Sequence, residues 1–139
     1  MPALIATAYF PPISYLPACL SVDEIFIERF ETYTKQTHRN RCEIYGPNGR
    51  QKLSIPVIRV GGNHTMTKDI RIANELPWQK IHWRSIETAY SNSPFFLYYR
   101  DHFEVFFRKK YDLLLDLNTD IFQVILKTLG FSTQVGFTE

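Results

Sequence analysis

Three arginines and one lysine surround a Gly-Pro-Asn-Gly turn in the stretch THRNRCEIYGPNGRQKLSIPV, residues 37–57. Guanidinium groups bind phosphate and carboxylate through paired hydrogen bonds. Arg39 and Arg41 stand two residues apart, and alternate residues of a β-strand project to the same face. We therefore expect Arg39 and Arg41 to bind an anionic group, while Asn40 points to the opposite face of the strand, into the fold.

Two of the four histidines fall on apolar faces of segments with helical periodicity. If both helices pack on one sheet, His82 and His102 point into a common cleft, where an imidazole serves as acid, base or ligand. In the alternative interpretation, each is a core histidine that is hydrogen bonded to a backbone carbonyl or a tyrosine hydroxyl. We take His82 as the candidate base.

Metal, cofactor and serine-nucleophile chemistry have little support. The histidines lack the spacing of a metal site, and so do Cys19 and Cys42, which we expect to be free thiols. The sequence has no dinucleotide or Walker phosphate loop and no Gly-x-Ser-x-Gly elbow. We expect neither a metal nor a cofactor.

Charge is distributed unevenly along the 139 residues, although the formal net charge is only +2. Residues 29–84 carry eleven basic and four acidic residues, whereas residues 1–28 carry three acids and no base. A basic block of this kind attracts an anionic ligand such as a sugar nucleotide, and the alternative is a solvated strand face. Stable binding of nucleic acid is not expected at this net charge.

Composition indicates a globular domain, since 45% of the residues are hydrophobic and 15% are aromatic. No apolar run approaches the roughly 20 residues of a membrane-spanning helix, and the N-terminus lacks the charged and apolar regions of a signal peptide. We expect a cytoplasmic protein, and a homo-oligomer is compatible with the sequence.

Strand signals dominate the first half of the chain. The sequence predicts strands over residues 3–10 and 23–33, with a short helix interrupted by Pro17 between them. It predicts another short strand over residues 68–74. Polar and apolar residues alternate on both sides of Asn48-Gly49, which predicts a hairpin with that turn dipeptide.

The second half reads as helical. Helices are predicted over residues 78–90 and 95–109, and a third with Asn118 as N-cap and Gly130 as terminator, followed by a closing strand in FSTQVGF. The fold class is therefore α/β, bordering on α+β. It is one domain with a mixed sheet, a hairpin near residues 46–49 and helices mostly in the C-terminal half.

An ordered set of motifs resembles the WbqC-like family. It consists of AYFPPISY, YTKQTHRNRCEI, LSIPV, KDIRI, PWQKIHWRSIETAYSNSPFFLYY, LLLDLN and LGFST. The resemblance implies an association with O-antigen and other surface-polysaccharide clusters, and transfer of an acyl or aminoacyl group to an amino sugar. On this hypothesis Arg39 and Arg41 hold phosphate, Asn40 and Tyr15 shape the pocket, His102 shares it, and His82 acts as base.

The sequence departs from the family pattern in two places. Many relatives carry a His-Gln-Pro stretch where this chain has residues 5–8, and many carry an acidic pair where Glu28 and Arg29 stand. Only Glu28 matches the acidic position, so it is the second catalytic candidate that the resemblance implies. Relatives usually continue beyond the position of Glu139, so we expect a truncated chain. The rival function is a non-catalytic binding or scaffolding protein that uses the same basic hairpin.

Overall fold

A computed structural model describes residues 3–15, 17, 22–34, 37–59 and 62–139. Within these residues the chain forms seven short strands and three α-helices, and the helices lie in the second half. This confirms the predicted α/β class. The predicted short helix before residue 20 lies mostly outside the described residues, as does Cys19, and Ile13–Tyr15 form a single 3-10 turn.

A three-stranded parallel sheet joins the two ends of the chain. Its strands are β1 (Ala3–Ala6), β2 (Glu24–Glu28) and a C-terminal strand (Gln134–Phe137), with β2 in the centre. Parallel pairing of β1 with β2 requires a crossover connection, as the sequence predicted. The carboxyl ends of all three strands therefore meet at one edge of the sheet.

The predicted hairpin is present as β3 (Arg41–Gly46) and β4 (Gly49–Ser54). Gly46 faces Gly49, so the turn residues are Pro47 and Asn48, one position earlier than predicted. Gly49 has a φ of 109°, which glycine adopts without the steric penalty of a Cβ. The apolar positions of both strands face the core, which confirms the predicted alternation.

Two further strands, β5 (Val57–Ile58) and β6 (Arg71–Ile72), pair with each other in antiparallel orientation. The parallel and antiparallel strands thus occupy three small sheets instead of one continuous sheet. Between them, residues 29–33 run alongside residues 65–68. The Tyr33 N–H donates to the Thr65 carbonyl at 2.9 Å, and the Thr67 N–H donates to the Glu31 carbonyl at 2.9 Å.

The helices are α1 (Trp78–Tyr90), α2 (Pro94–Glu104) and α3 (Leu114–Thr128), and the C-terminal strand is β7. The bounds of α1 are as predicted, but Ile81 is 57% exposed because it lies at the margin of the apolar arc. Helix α2 ends before the predicted residue 109, and a 3-10 turn, Val105–Phe107, follows it.

The predicted N-cap of α3 is wrong. The helix begins four residues before Asn118, whose side chain is buried inside the fold. A buried asparagine amide can be satisfied by a distant backbone carbonyl, and such a partner leaves no local signal in the sequence. Gly130, with a φ of 82°, ends the helix as predicted.

Helix α3 packs against two apolar clusters. One of its faces contributes Leu114, Leu117 and Ile121 to the larger cluster, which includes the hairpin and α1. The other contributes Leu115, Phe122 and Leu126, which pack against Ile25 and Ile27 of the parallel sheet. A helix that is apolar on most of its circumference is buried between layers, so α3 ties the parallel sheet to the rest of the fold. No helix among the described residues has the length and apolar character needed to cross a membrane.

Candidate functional site

A group of charged and phenolic side chains lies beyond the carboxyl edge of the parallel sheet. The Tyr15 hydroxyl donates to the carbonyl of Ala6, the last residue of β1, at 3.3 Å, and Glu31 follows the end of β2. Ligands of open α/β sheets commonly bind outside the carboxyl ends of the strands. The arginine–tyrosine cluster is defined as Tyr15, Glu31, Tyr33, Arg39, Arg41 and Arg59.

Arg39 is the most tightly held cation of the cluster. Its Nε donates to Glu31 Oε1 at 2.9 Å, its Nη1 donates to Thr37 Oγ1 at 3.2 Å, and its side chain is only 19% exposed. Partial burial strengthens such a pair because less water screens it. These contacts fix the plane of the guanidinium, and its Nη2 makes no hydrogen bond to the residues that the structure describes.

The prediction that Arg39 and Arg41 share a strand face is wrong. Strand β3 begins at Arg41, and Arg39 lies in the turn before it, so the strand alternation does not extend to Arg39. Arg41 donates from Nε to Ser54 Oγ on β4 at 3.1 Å. Both guanidinium groups nevertheless act on a common neighbour, Tyr33.

Tyr33 is 4% exposed, and its hydroxyl has no hydrogen-bond partner among the described residues. Burial raises its pKa to about 12, while the charges of Arg39, Arg59 and Arg41 act in the opposite direction. The hydroxyl is therefore protonated at neutral pH and lies in a positive field. Burying an unpaired hydroxyl costs about 1–3 kcal/mol, so its retention calls for an explanation.

Tyr15 is the second phenol of the cluster and is half-buried. Burial raises its pKa, Arg39 lowers it and Glu31 raises it, which places both charged groups near the ring. The structure thus brings together Tyr15 and Arg39, which the sequence analysis named as substrate-binding residues.

Two asparagines support the cluster from behind. Asn40 Nδ2 donates to the Ile55 carbonyl at 3.0 Å, so its amide points into the fold as expected, and Asn118 Nδ2 donates to the Arg39 carbonyl at 2.8 Å. The amide oxygens of both have no partner within the described part of the chain. Asn118 therefore holds the backbone of Arg39 in place from helix α3.

Unpaired buried polar atoms are concentrated at this site. Thr7 follows the strand end that Tyr15 contacts, and the Thr67 N–H donates to the Glu31 carbonyl. Five buried side-chain atoms lack a hydrogen-bond partner among the described residues, and all belong to the cluster or its immediate support: Thr7 Oγ1, Tyr33 Oη, Asn40 Oδ1, Thr67 Oγ1 and Asn118 Oδ1. Buried polar groups are normally paired, so these atoms make the region a candidate functional site.

His82 lies elsewhere, in the larger apolar cluster. It is 4% exposed, its Nδ1 is 2.9 Å from the Tyr9 hydroxyl, and its Nε2 is 3.1 Å from the Ser54 carbonyl. A carbonyl only accepts, so Nε2 carries the proton and Nδ1 accepts from Tyr9. Burial lowers the pKa of His82 to about 4, and the ring is neutral at pH 7. These are the partners of the core interpretation, and they favour a structural role over that of a base.

The expected meeting of His82 and His102 is wrong. His102 is exposed on α2, with its ring centroid 6.2 Å from that of Tyr99, because the predicted apolar face of α2 turns partly toward solvent. Glu28 also has structural partners. Its Oε1 accepts from the Phe30 N–H at 2.9 Å and from Thr138 Oγ1 at 3.1 Å, which ties the end of β2 to the end of β7.

Among the described residues, no three histidine, cysteine, aspartate or glutamate side chains are grouped to hold a metal ion. Cys42 is a free, buried thiol, and burial raises its pKa to about 12. A thiol so protonated is a poor nucleophile and a poor ligand. The chemistry of the described site therefore rests on arginine, tyrosine and amide groups.

Sequence reasoning missed Glu31, Tyr33, Arg59 and Asn118. These residues come from separate segments that only the fold brings together. One signal was present for Asn118, since a polar residue within an apolar helical pattern is a candidate for a buried hydrogen bond.

Fold and candidate site together describe a small α/β protein with arginine and tyrosine side chains clustered near the carboxyl edge of a parallel sheet. The chain belongs to the WbqC-like protein family, whose model matches residues 7–139. It is similar to the uncharacterized protein Rv1507c of Mycobacterium tuberculosis, with 30% identity over 135 residues. That alignment covers 96% of this chain but 58% of the relative, so the chain spans little more than half of that protein's length. No solved structure matches the chain.

Proposed function

We propose that the arginine–tyrosine cluster binds the phosphate groups of an anionic sugar nucleotide. The protein would take part in surface-polysaccharide synthesis, where an acyl or aminoacyl group is transferred to an amino sugar. One observation carries the proposal: the buried, unpaired hydroxyl of Tyr33 lies in the field of Arg39, Arg41 and Arg59. The hydroxyl is buried, so a ligand reaches it only when the surrounding side chains move apart. A phosphate oxygen there would supply both the acceptor that this hydroxyl lacks and the negative charge that the arginines attract.

Preorganisation supports binding at Arg39 in particular. Glu31 and Thr37 hold its guanidinium, and Asn118 holds its backbone carbonyl, so a ligand meets a donor that is already oriented. Ordering a long side chain in advance lowers the entropy lost when the ligand binds. As defined, the cluster contains three arginines and one glutamate, so its formal charge is positive.

The arrangement supports substrate binding more directly than catalysis. His82 is fully engaged in the core, and Glu28 joins two strand ends. We therefore assign to this chain the recognition of the nucleotide, with Tyr15, Tyr33, Arg39 and Arg41 as the binding residues.

The rival function, a non-catalytic binding or scaffolding protein, has an observation of its own. At the tip of the hairpin the side chain of Arg50 is 72% exposed and Tyr45 is 65% exposed. Arginine and tyrosine are among the residue types that are enriched at protein interfaces. This surface is distinct from the arginine–tyrosine cluster, so the two functions can be separated by mutation.

Calorimetric titration with UDP-N-acetylglucosamine tests the proposal. Arg39→Gln is expected to weaken binding at least tenfold, because it removes a charged donor worth about 1.5–3 kcal/mol. Arg50→Gln, on the exposed hairpin tip, is the matched control and is expected to leave the affinity unchanged. UDP alone and N-acetylglucosamine alone show which half of the ligand the site recognises.

Two outcomes would contradict the proposal. If Arg39→Gln and wild type bind equally, the cluster does not hold the phosphate groups. If no sugar nucleotide of a broad panel binds, while a protein partner co-purifies and is lost on Arg50→Gln, the scaffolding function replaces it.

A further inference from the structure

A pocket with a mainly aromatic lining opens between α1 and α2, apart from the arginine–tyrosine cluster. Its volume is about 250 Å³, and this aromatic pocket is lined by six aromatic residues, among them Phe10, Trp83 and Phe96, together with Ile86, Ser93 and Arg100. A second cavity of about 550 Å³ adjoins it along Phe10 and Tyr90. We infer that the aromatic pocket binds a small, planar, apolar ring system about the size of indole.

The size of the pocket sets the size of the ligand. An apolar cavity of about 150 Å³ in another protein holds one benzene ring. At about 250 Å³, the aromatic pocket without the adjoining cavity has room for two fused rings but not for a whole nucleotide. A nucleobase is further disfavoured because its several hydrogen-bonding groups would be buried against ring carbons.

Ring geometry selects a planar ligand. The Trp83 and Phe96 centroids are 5.9 Å apart with ring planes tilted by 37°, and Trp83 lies 5.3 Å from Phe107 behind it. Aromatic rings prefer offset or edge-to-face contacts at about 4.5–7 Å. A guest ring packed against the open faces or edges of these side chains continues the same pattern, which an aliphatic chain of equal volume does not.

The backbone of Phe10 provides an independent observation. Its φ is +46°, in the left-handed region that non-glycine residues rarely adopt, and Pro11 follows it. A strained backbone conformation persists only where the surrounding packing holds it in place, and such residues are concentrated at ligand-binding sites. The Phe10 ring packs 5.9 Å from that of Phe103 and 6.3 Å from that of Phe107, so the strain places an aromatic face between the two cavities.

An ion pair at the pocket joins the two helices. Arg100 Nη2 on α2 is 2.9 Å from Glu87 Oε2 on α1, and its guanidinium carbon lies 5.8 Å from the Trp83 centroid. The pair fixes the spacing of the helices that line the pocket. The charges of Arg100 and Glu87 balance each other. We therefore expect the part of the ligand that enters the aromatic pocket to be uncharged.

The chain offers an internal reporter, because it has two tryptophans. Trp83 lines the pocket, whereas Trp78 is buried and donates from Nε1 to Asn74 Oδ1 at 3.3 Å. In a ¹⁵N–¹H spectrum with indole as the probe, the Nε1–H signal of Trp83 is expected to shift saturably while that of Trp78 stays in place. Cyclohexanol is expected to bind at least tenfold more weakly.

Ser93→Leu fills the pocket and is expected to weaken indole binding at least tenfold. Ser93 precedes α2 without a side-chain capping hydrogen bond, so the change should spare the fold. Ser91→Leu, two residues away and outside the lining, is the matched control. Equal shifts of both tryptophans, no shift of Trp83, or unchanged binding in Ser93→Leu would overturn the inference.

Discussion

Replacing His82 with glutamine is expected to remove much of the acid sensitivity of the fold. In the folded state burial lowers the pKa of His82 to about 4, against 6.5 for the unperturbed group. Folding therefore favours the neutral form of His82. The stability that this preference contributes is fully present above about pH 6.5, the pKa of His82 in the unfolded chain. It declines as the pH falls from 6.5 toward 4, because the unfolded chain takes up the proton first.

The magnitude follows from the pKa difference. Each pH unit within that window costs about 1.4 kcal/mol, which gives about 3 kcal/mol over the whole window and about 2 kcal/mol by about pH 5. Glutamine has an amide donor to replace Nε2 toward the Ser54 carbonyl, and its oxygen can accept from the Tyr9 hydroxyl. His82→Gln thus preserves the types of hydrogen bond without the titration.

Urea unfolding at a series of pH values measures the effect as a difference between the two proteins. The free energy of unfolding of wild type is expected to fall more steeply, so that the gap between the proteins changes by about 2 kcal/mol from about pH 7 to about pH 5. His102→Gln, which changes an exposed histidine on α2, is the control and should follow wild type. Parallel pH profiles for wild type and His82→Gln would refute the neutral, buried state.

Two further predictions concern backbone conformation. Phe10→Gly is expected to be about 1 kcal/mol more stable than Phe10→Ala in urea unfolding, because glycine adopts the +46° φ without strain; the reverse order would show that the backbone relaxes. Gly49→Ala is expected to lower the melting temperature because alanine is strained at the 109° φ of the hairpin turn. A steric clash would not contribute, because no atom lies within 4 Å of the added Cβ. An unchanged melting temperature would contradict this prediction.

Local patterns predicted the elements whose stability is local. The helical period from Trp78 to Tyr90 predicted the bounds of α1, and the alternation around Asn48-Gly49 predicted the hairpin with its turn displaced by one position. The start of α3 was missed because Asn118 resembles an N-cap, while its actual partner, the Arg39 carbonyl, lies 79 residues away in sequence. A contact at that separation leaves no periodic trace.

The candidate site was predicted in part for the same reason. Arg39 and Arg41 were named from residue type and spacing, and Tyr15 from the family resemblance, whereas Tyr33 and Arg59 join them only through the fold. Helical projection placed His82 on an apolar face correctly, but it could not show that Tyr9 and Ser54 occupy both of its nitrogens. Helical periodicity predicts which face of the helix a side chain occupies, but it does not predict the partners that the side chain contacts in the fold.

Tyr33→Phe tests the central claim most directly, because it removes only the unpaired hydroxyl. If that hydroxyl is kept for a phosphate ligand, the variant gains about 1 kcal/mol of stability in urea and loses about tenfold or more in affinity for UDP-N-acetylglucosamine. We therefore expect the free energy of unfolding to rise and the affinity for UDP-N-acetylglucosamine to fall. Unchanged affinity, or a loss of stability, would contradict the assignment of this cluster as the ligand site.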